Sequence, residues 1–249
     1  MSLALGVFVT VALGACLQRV AGMGIGLVGG PVLMLMLGPV QGILVVNVIA
    51  CINACITTWT VRDRVEWRRF WLIAPVMIFG AIPAAILISW MDISWLLVVV
   101  GAALLIALGA VTFGKTIVPV LRGVGPAISA GVLGGFTNTL AGAAGPVITV
   151  YAQAARWPAH VYTATLQPIF VVGGLFSIGV KTLMGAGDLA GVDWVLWPAA
   201  FSAMLAGISV GSLVARQIDR GRAHRLSLLV ASLGALSAMG RGIAQIARF

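Results

Sequence analysis

Charged residues are scarce in this 249-residue sequence, and histidines are scarcer still. Only 8% of the residues are Asp, Glu, Lys or Arg, and the mean hydropathy is +1.13, which excludes an ordinary soluble domain. The six acidic residues all lie in or near the connections between apolar segments. A carboxylate relay of the kind found in many proton-coupled pumps is therefore not predicted. With two histidines, both near loops, a Ser-His or Cys-His catalytic pair is not predicted either, and the protein is not expected to be an enzyme.

The sequence also offers no framework for disulfides or metals. Its three cysteines, Cys16, Cys51 and Cys55, lie in apolar runs, and an odd number without loop cysteines does not form a disulfide set. Cys51 and Cys55 are one helical turn apart, but the histidine-poor surroundings favour small buried side chains over a metal pair. Neither a nucleotide-binding P-loop nor an H-E-x-x-H motif occurs. No metal and no cofactor is predicted.

Hydrophobic side chains are abundant, at 61% of the residues. Six apolar segments reach the roughly 20 residues that a spanning helix needs, and four are shorter. The short segments occur as two pairs that each flank a glycine-rich break, and each pair is predicted to form a helical hairpin that dips into the membrane or tilts across it. The long segments are 40–60, 70–90, 94–113, 158–181, 193–215 and 226–247; the short ones are 3–18, 23–38, 124–136 and 143–155.

The basic residues predict how these segments are oriented. The net charge of +9 arises from clusters between apolar segments, as the positive-inside rule requires, so a nucleic-acid partner is not predicted. The connections around residues 91–92 and 184–191 are poor in basic residues, with only Lys181 close by, and are placed outside together with both termini. The basic residues placed on the cytoplasmic side are Arg62, Arg64, Arg68, Arg69, Lys115, Arg122, Arg156, Arg216, Arg220, Arg222 and Arg225.

This orientation divides the chain into two halves of opposite direction. The first hairpin starts and ends outside, the second starts and ends inside, and each is followed by three full spans. The predicted fold is therefore an all-α polytopic membrane protein of two inverted-topology repeats, 1–113 and 124–249, joined by a cytoplasmic linker at 114–123. In such folds the substrate site lies near the midplane, at the interface of the repeats.

The two glycine-rich breaks carry the candidate site. Residues 18–26 close on Gly30-Pro31, and residues 137–144 close on Gly145-Pro146. Irregular backbone at membrane depth is tolerated only where protein buries it or where it lines a cavity. Each Gly-Pro pair is expected to begin or kink the returning helix, whose free N–H groups favour an anion. A tight helix crossing that merely needs small residues is the alternative for both breaks.

Particular residues follow from these breaks. Arg19 is the one charge placed deep in an apolar stretch, and its planar fork suits an oxyanion, with snorkelling from a shallow hairpin as the alternative. Polar side chains and glycines in or near the breaks complete the predicted site, with interhelical hydrogen bonding as their alternative role. The candidate substrate-binding residues are Arg19, Gln18, Gly22, Gly24, Asn47, Thr137, Asn138, Gly142 and Gln167.

At these positions the sequence resembles the TauE/SafE family of sulfite exporters, also called TSUP transporters, over nearly its whole length. Arg19 stands where many members carry glycine and resembles an actinobacterial-type variant, and Ala144 replaces a second common glycine. The matching residues are Gln18-Arg19-Val20-Ala21-Gly22-Met23-Gly24 through Pro31, Gly38-Pro39-Val40-Gln41-Gly42, Asn47, Asn138-Thr139-Leu140-Ala141-Gly142, Gly145-Pro146, Tyr151, Trp157-Pro158 and Thr165-Leu166-Gln167-Pro168.

The resemblance implies transport of small sulfur-containing anions such as sulfite, organosulfonates or thiosulfate. We therefore expect a multi-pass transporter in the cell (inner or plasma) membrane that works by alternating access around a midplane anion site. Export is the default direction, because a membrane potential that is negative inside drives an uncoupled anion outward. A proton- or sodium-coupled importer and an anion channel are the alternatives. The predicted partners are the sulfur-containing anion and the lipid bilayer, and a homo-oligomer is left open.

Overall fold

The computed structural model describes residues 2–117, 120–121, 123–215, 217 and 219–248, and within them the secondary structure is entirely helical. A π-helical turn at Ile25–Gly29 precedes α2, and 3-10 turns occupy Arg62–Arg64, Pro75–Met77 and Leu189–Gly191. Arg122 and Arg216, two of the basic residues used to predict orientation, lie outside the described residues, as does part of the predicted linker. The α-helices are α1 Ser2–Ala21, α2 Gly30–Leu37, α3 Pro39–Val61, α4 Trp67–Ile73, α5 Ile78–Trp90, α6 Ile93–Ile117, α7 Gly125–Ala141, α8 Gly145–Ala154, α9 Ala159–Leu183, α10 Leu196–Val214 and α11 Arg220–Ile246.

Seven helical segments of the described chain are long and apolar enough to cross a membrane. Six of them coincide with the six long segments predicted from the sequence, and α4 and α5 together form one of these. They are Leu3–Ala21, Pro39–Arg64, Trp67–Trp90, Ile93–Phe113, Ala159–Leu183, Leu196–Val214 and Gly221–Ile246.

The seventh spanning segment is α1, and here the prediction of a short first arm at 3–18 is wrong. The helix continues through Gln18 and Arg19 to Ala21. It does so because both polar side chains find hydrogen-bond partners on other helices, Gln18 on α9 and Arg19 on α3 and α10. A polar pair inside an apolar run therefore does not end the helix when tertiary partners are available.

Both hairpins have a long arm followed by a short return. The first return consists of the π-helical turn and α2, and the second is α8, which has 10 residues. Neither return reaches the length of a spanning helix. Gly30-Pro31 and Gly145-Pro146 are the first two residues of α2 and α8, so the prediction that the Gly-Pro pairs begin the returning helices is confirmed.

Each hairpin packs on helices of the other half of the chain. The long arm α1 lies along α10, and the long arm α7 lies along α5. The central helices α3 and α9 pack on each other, as do α6 and α11. This reciprocal pattern places the two breaks in the middle of the bundle.

Glycines permit the two crossings between a hairpin arm and a helix of the other half. A methyl group built on Gly207 of α10 would lie 2.4 Å from the Ala12 carbonyl oxygen of α1. A methyl group on Gly80 of α5 would collide in the same way with the backbone of Val132 in α7. Close backbone approach through small residues is the usual means of helix association in lipid, where the hydrophobic effect does not drive helices together.

Large apolar side chains cover the outer surface. Leu183 is 88% exposed, Trp90 is 83% exposed and Trp194 is 76% exposed, which in water would make the protein aggregate. Several of the exposed tryptophans lie at the ends of spanning helices, including Trp59 near the end of α3 and Trp90 at the end of α5. Tryptophan is enriched at this level in membrane proteins because its amphipathic ring suits the interface between lipid and water.

Candidate functional site

The two glycine-rich breaks contact each other at the centre of the bundle. A methyl group on Gly26 would lie 2.2 Å from the Gly142 carbonyl oxygen, and one on Gly30 would lie 2.6 Å from that of Ala141. Met23 of the first break lies against Gly145 of the second. Only glycine allows backbone to meet backbone at these distances. The two breaks, one from each hairpin, are thus packed directly against each other.

The two long arms end in the same way, at Gly22 and Gly142. Gly22 has φ of 86° and Gly142 has φ of 70°, the left-handed region that favours glycine. Their N–H groups donate to the carbonyl oxygens of Gln18 and Asn138, at 2.9 and 2.8 Å. The first break is the longer one, because the π-helical turn Ile25–Gly29 separates its left-handed glycine from Gly30.

A small cavity lies between the breaks and the central helices. Its volume is about 30 Å³, which is enough to hold water. None of its lining residues is charged. The lining residues are Gln18, Met23, Gly24, Gly26, Leu27, Asn47, Ala50, Asn138, Gly142, Ala143, Ala144, Gly145, Pro146, Phe170 and Gly174.

One buried pair of side-chain amides joins each hairpin to the central helix of the other half. Gln18 Nε2 of α1 donates to Gln167 Oε1 of α9 at 3.3 Å. Asn138 Nδ2 of α7 donates to Asn47 Oδ1 of α3 at 3.4 Å. Asn138 follows Gln18 by 120 positions, and Gln167 follows Asn47 by the same 120 positions. The two pairs are therefore related by the same spacing along the chain.

The pair of Gln18 and Gln167 also braces the first break. Gln18 Oε1 accepts from the Ile25 N–H at 3.1 Å, where the π-helical turn begins. Gln167 Nε2 donates to the Gly22 carbonyl at 3.0 Å and to the Thr163 carbonyl at 3.1 Å. The polar side chains therefore satisfy backbone groups that would otherwise be unpaired inside the protein.

The cavity retains spare hydrogen-bond donors. A side-chain amide has two N–H donors. Gln18 Nε2 and Asn138 Nδ2 each make one hydrogen bond in the described structure, and Asn47 Nδ2 makes one, to Ser177 Oγ at 2.6 Å. The N-terminus of α8, which carries the partial positive charge of a helix start, also borders the cavity through Gly145 and Pro146.

The structure brings together seven of the nine predicted site residues. Gln18, Gly24, Asn47, Asn138 and Gly142 line the cavity. The other two, Gly22 and Gln167, are attached to Gln18 by the hydrogen bonds described above.

Arg19 and Thr137 lie elsewhere. Arg19 Nε donates to Ser212 Oγ of α10 at 3.2 Å, and its Nη1 donates to Thr60 Oγ1 near the end of α3 at 3.4 Å. Thr137 Oγ1 donates to carbonyls of its own helix and borders a different, apolar groove. Neither side chain lines the cavity in this conformation.

Sequence reasoning missed two polar residues on α9. Ser177 is fully buried and accepts the hydrogen bond from Asn47. Lys181, counted as a residue near an outer loop, is fully buried inside the helix bundle. Their helical spacing from Gly174 was the available signal, because it places all three on one face of α9.

The apolar spanning helices and the two buried breaks define an integral, multi-pass membrane protein. The sequence model of the sulfite exporter TauE/SafE family matches residues 7–239, and the chain belongs to this family. Members of this family are transporters, not enzymes. No curated protein and no solved structure matches the chain significantly.

Proposed function

We propose that this protein exports small sulfur-containing oxyanions, sulfite or an organosulfonate, across the cell membrane by alternating access. The observation that carries the proposal is a central cavity whose polar groups are amide donors and a helix N-terminus, with no carboxylate among its lining residues. Such a site favours an anion over a cation, because an oxyanion accepts hydrogen bonds at every oxygen. The family match supports the same class of substrate.

The anion is proposed to bind between the breaks. The spare N–H donors of Gln18, Asn47 and Asn138 reach it from three helices, and the start of α8 adds the positive end of a helix dipole. A hydrogen bond to a charged group is worth about 1.5–3 kcal/mol, roughly twice a neutral one. A few such bonds are enough to hold an anion, so the cavity needs no permanently charged side chain.

The equal spacing of the two amide pairs along the chain supports the inverted-repeat arrangement of 1–113 and 124–249. Asn47 and Gln167 each lie eight residues after the start of their helix, about 12 Å along α3 and α9. Since the predicted orientation starts these helices on opposite sides, one pair lies towards the outside and the other towards the cytoplasm. Rocking of one repeat against the other would then open one pair while the other stays closed.

The direction of transport follows from charge. Moving one elementary charge through 100 mV is worth about 2.3 kcal/mol. With a negative cytoplasm this drives a monoanion outward without any coupled ion, and no described acidic residue is buried in the bundle to carry a coupled proton. Export by uniport is therefore the proposed mode.

The test is flux into liposomes that contain the purified protein. Sulfite, sulfate, thiosulfate, taurine and sulfoacetate are offered separately, with and without an imposed potential. Saturable uptake of one sulfur anion that increases when the potential favours entry supports the proposal. Flux that ignores the potential but requires a proton or sodium gradient identifies a coupled importer, and non-saturating single-channel currents identify a channel.

The prediction that Arg19 contacts the anion is tested in the same assay. Because Arg19 bonds to Ser212 and Thr60 and does not line the cavity in this conformation, we expect Arg19→Ala to lower flux less than Asn138→Ala does. Both variants are compared at equal amounts of protein in the liposomes. Complete loss of flux in Arg19→Ala alone would instead place the guanidinium on the anion in another conformation.

A further inference from the structure

Lys181 is the one fully buried charged side chain among the described residues. Its exposure is 0%, and its Nζ has no hydrogen-bond partner. None of the described acidic residues is buried, and Lys181 takes part in neither of the ion pairs in the described chain. A buried charge in a membrane protein is normally paired, and it marks a functional site by default.

Lys181 lies on the α9 face that leads out of the cavity. Gly174 lines the cavity, Ser177 follows at i+3, and Lys181 follows Ser177 at i+4. Ser177 bonds to Asn47, which bonds to Asn138. Lys181 lies seven positions after Gly174, about 10 Å along the helix.

The lysine stem starts in the direction of the cavity. In an α-helix each Cα–Cβ bond tilts towards the helix N-terminus, so the Lys181 side chain leaves the backbone on the side of Ser177. Lys181 is two residues from the end of α9, where a long flexible stem would normally reach water by snorkelling. Its complete burial shows that it does not do so.

Val180, next to Lys181 in the chain, and Ala186, in the segment that follows α9, belong to a buried apolar cluster with Ile43 and Ile88. The Ala186 N–H donates to the Lys181 carbonyl at 2.9 Å, which folds the chain back after α9. The environment therefore supplies neither water nor a carboxylate to compensate the ammonium.

We propose that the Lys181 ammonium is a second binding station for the transported oxyanion, between the central cavity and the outer face. This inference rests on the proposed function and deepens it. The anion leaves the neutral donors of the cavity, passes Asn47 and Ser177, and pairs with the ammonium as the outer side opens. The uncompensated charge provides the attraction that draws the anion towards the exit.

The experiment compares Lys181→Met with wild type in binding and in flux. Methionine is close to the lysine stem in shape and removes the charge. Replacing a buried ion by an apolar residue is often neutral or stabilising, so the thermal midpoint in detergent without anion should stay the same or rise. The affinity for sulfite or thiosulfate, measured from anion-induced thermal shifts, should fall about tenfold or more, and so should saturable flux.

Two controls keep the result specific. Arg241→Met removes an exposed cation that donates a hydrogen bond to the Leu35 backbone carbonyl. This variant should leave the anion affinity and the flux unchanged. Lys181→Arg keeps the charge and should retain more flux than Lys181→Met.

The outcomes separate the two proposals. A folded Lys181→Met that binds and transports like wild type overturns this inference and leaves the proposed function intact. Wild-type protein that neither binds nor transports any sulfur anion overturns the proposed function, and the inference with it.

Discussion

Gly26→Ala is expected to lower the thermal midpoint of the detergent-solubilised protein by about 5 °C or more and to abolish most of the flux. The added methyl would lie 2.2 Å from the Gly142 carbonyl oxygen, which belongs to the backbone of the opposite break and cannot rotate away. Overpacking of this kind costs about 1–3 kcal/mol, and 1 kcal/mol moves the midpoint by about 2–4 °C at this chain length. Separating the breaks also reshapes the cavity that lies between them.

The matched control is Gly240→Ala, in the interior of α11. A methyl group at Gly240 would contact nothing within 4 Å. Gly240→Ala is therefore the same substitution as Gly26→Ala without the steric collision. Alanine is also the better helix former by about 1 kcal/mol, and the midpoint should stay constant or rise. A Gly26→Ala protein with a wild-type midpoint and wild-type flux would show that the breaks do not need their close contact.

The glycine-rich breaks could be predicted from sequence because non-helical backbone is stable in few environments inside a membrane protein. Non-helical backbone inside a membrane protein has to be buried or line a cavity, and both breaks do so. Gly145-Pro146 begins α8 because proline suits the first turn of a helix. The length of the first break could not be predicted, since the π-helical turn Ile25–Gly29 has the same apolar composition as an ordinary helix.

The position of Arg19 and Thr137 outside the cavity has a geometric cause. Gln18 and Arg19 are adjacent on α1, and Thr137 and Asn138 are adjacent on α7. Adjacent residues in an α-helix point about 100° apart, so one member of each pair faces the cavity and the other faces away. The sequence shows that polar residues occur at the break, but a weakly amphipathic helix does not show which of two neighbours points inward.

Lys181 shows a second limit of sequence reading. Its position three residues before a predicted outer connection made it look like a loop charge. Distance along the chain does not reveal that the segment after α9 folds back, so that the Ala186 N–H donates to the Lys181 carbonyl, or that the Lys181 side chain is fully buried. Burial of a lysine is a tertiary property, and it appears only once the neighbouring helices are in place.

Asn138→Ala is expected to reduce saturable anion flux about tenfold to a hundredfold at unchanged protein folding. The Asn138 amide lines the cavity and makes one buried hydrogen bond, to Asn47, which leaves an N–H donor for the anion. Loss of a donor to a charged ligand costs about 1.5–3 kcal/mol, and each 1.4 kcal/mol is tenfold in affinity. The measurement is the concentration dependence of sulfite and thiosulfate uptake into liposomes.

Thr137→Ala is the matched control, because it truncates the neighbouring residue on the same turn of α7. The Thr137 hydroxyl donates only to carbonyls of its own helix and borders a groove outside the cavity, so this variant should transport like wild type. If Asn138→Ala and Thr137→Ala showed the same flux, the proposal that the anion binds in the cavity would be contradicted. A strong loss of flux in Asn138→Ala and in Gln18→Ala, with wild-type flux in Thr137→Ala, would support two amides that act on one anion. Gln18 and Asn138 are 120 positions apart and line the same cavity.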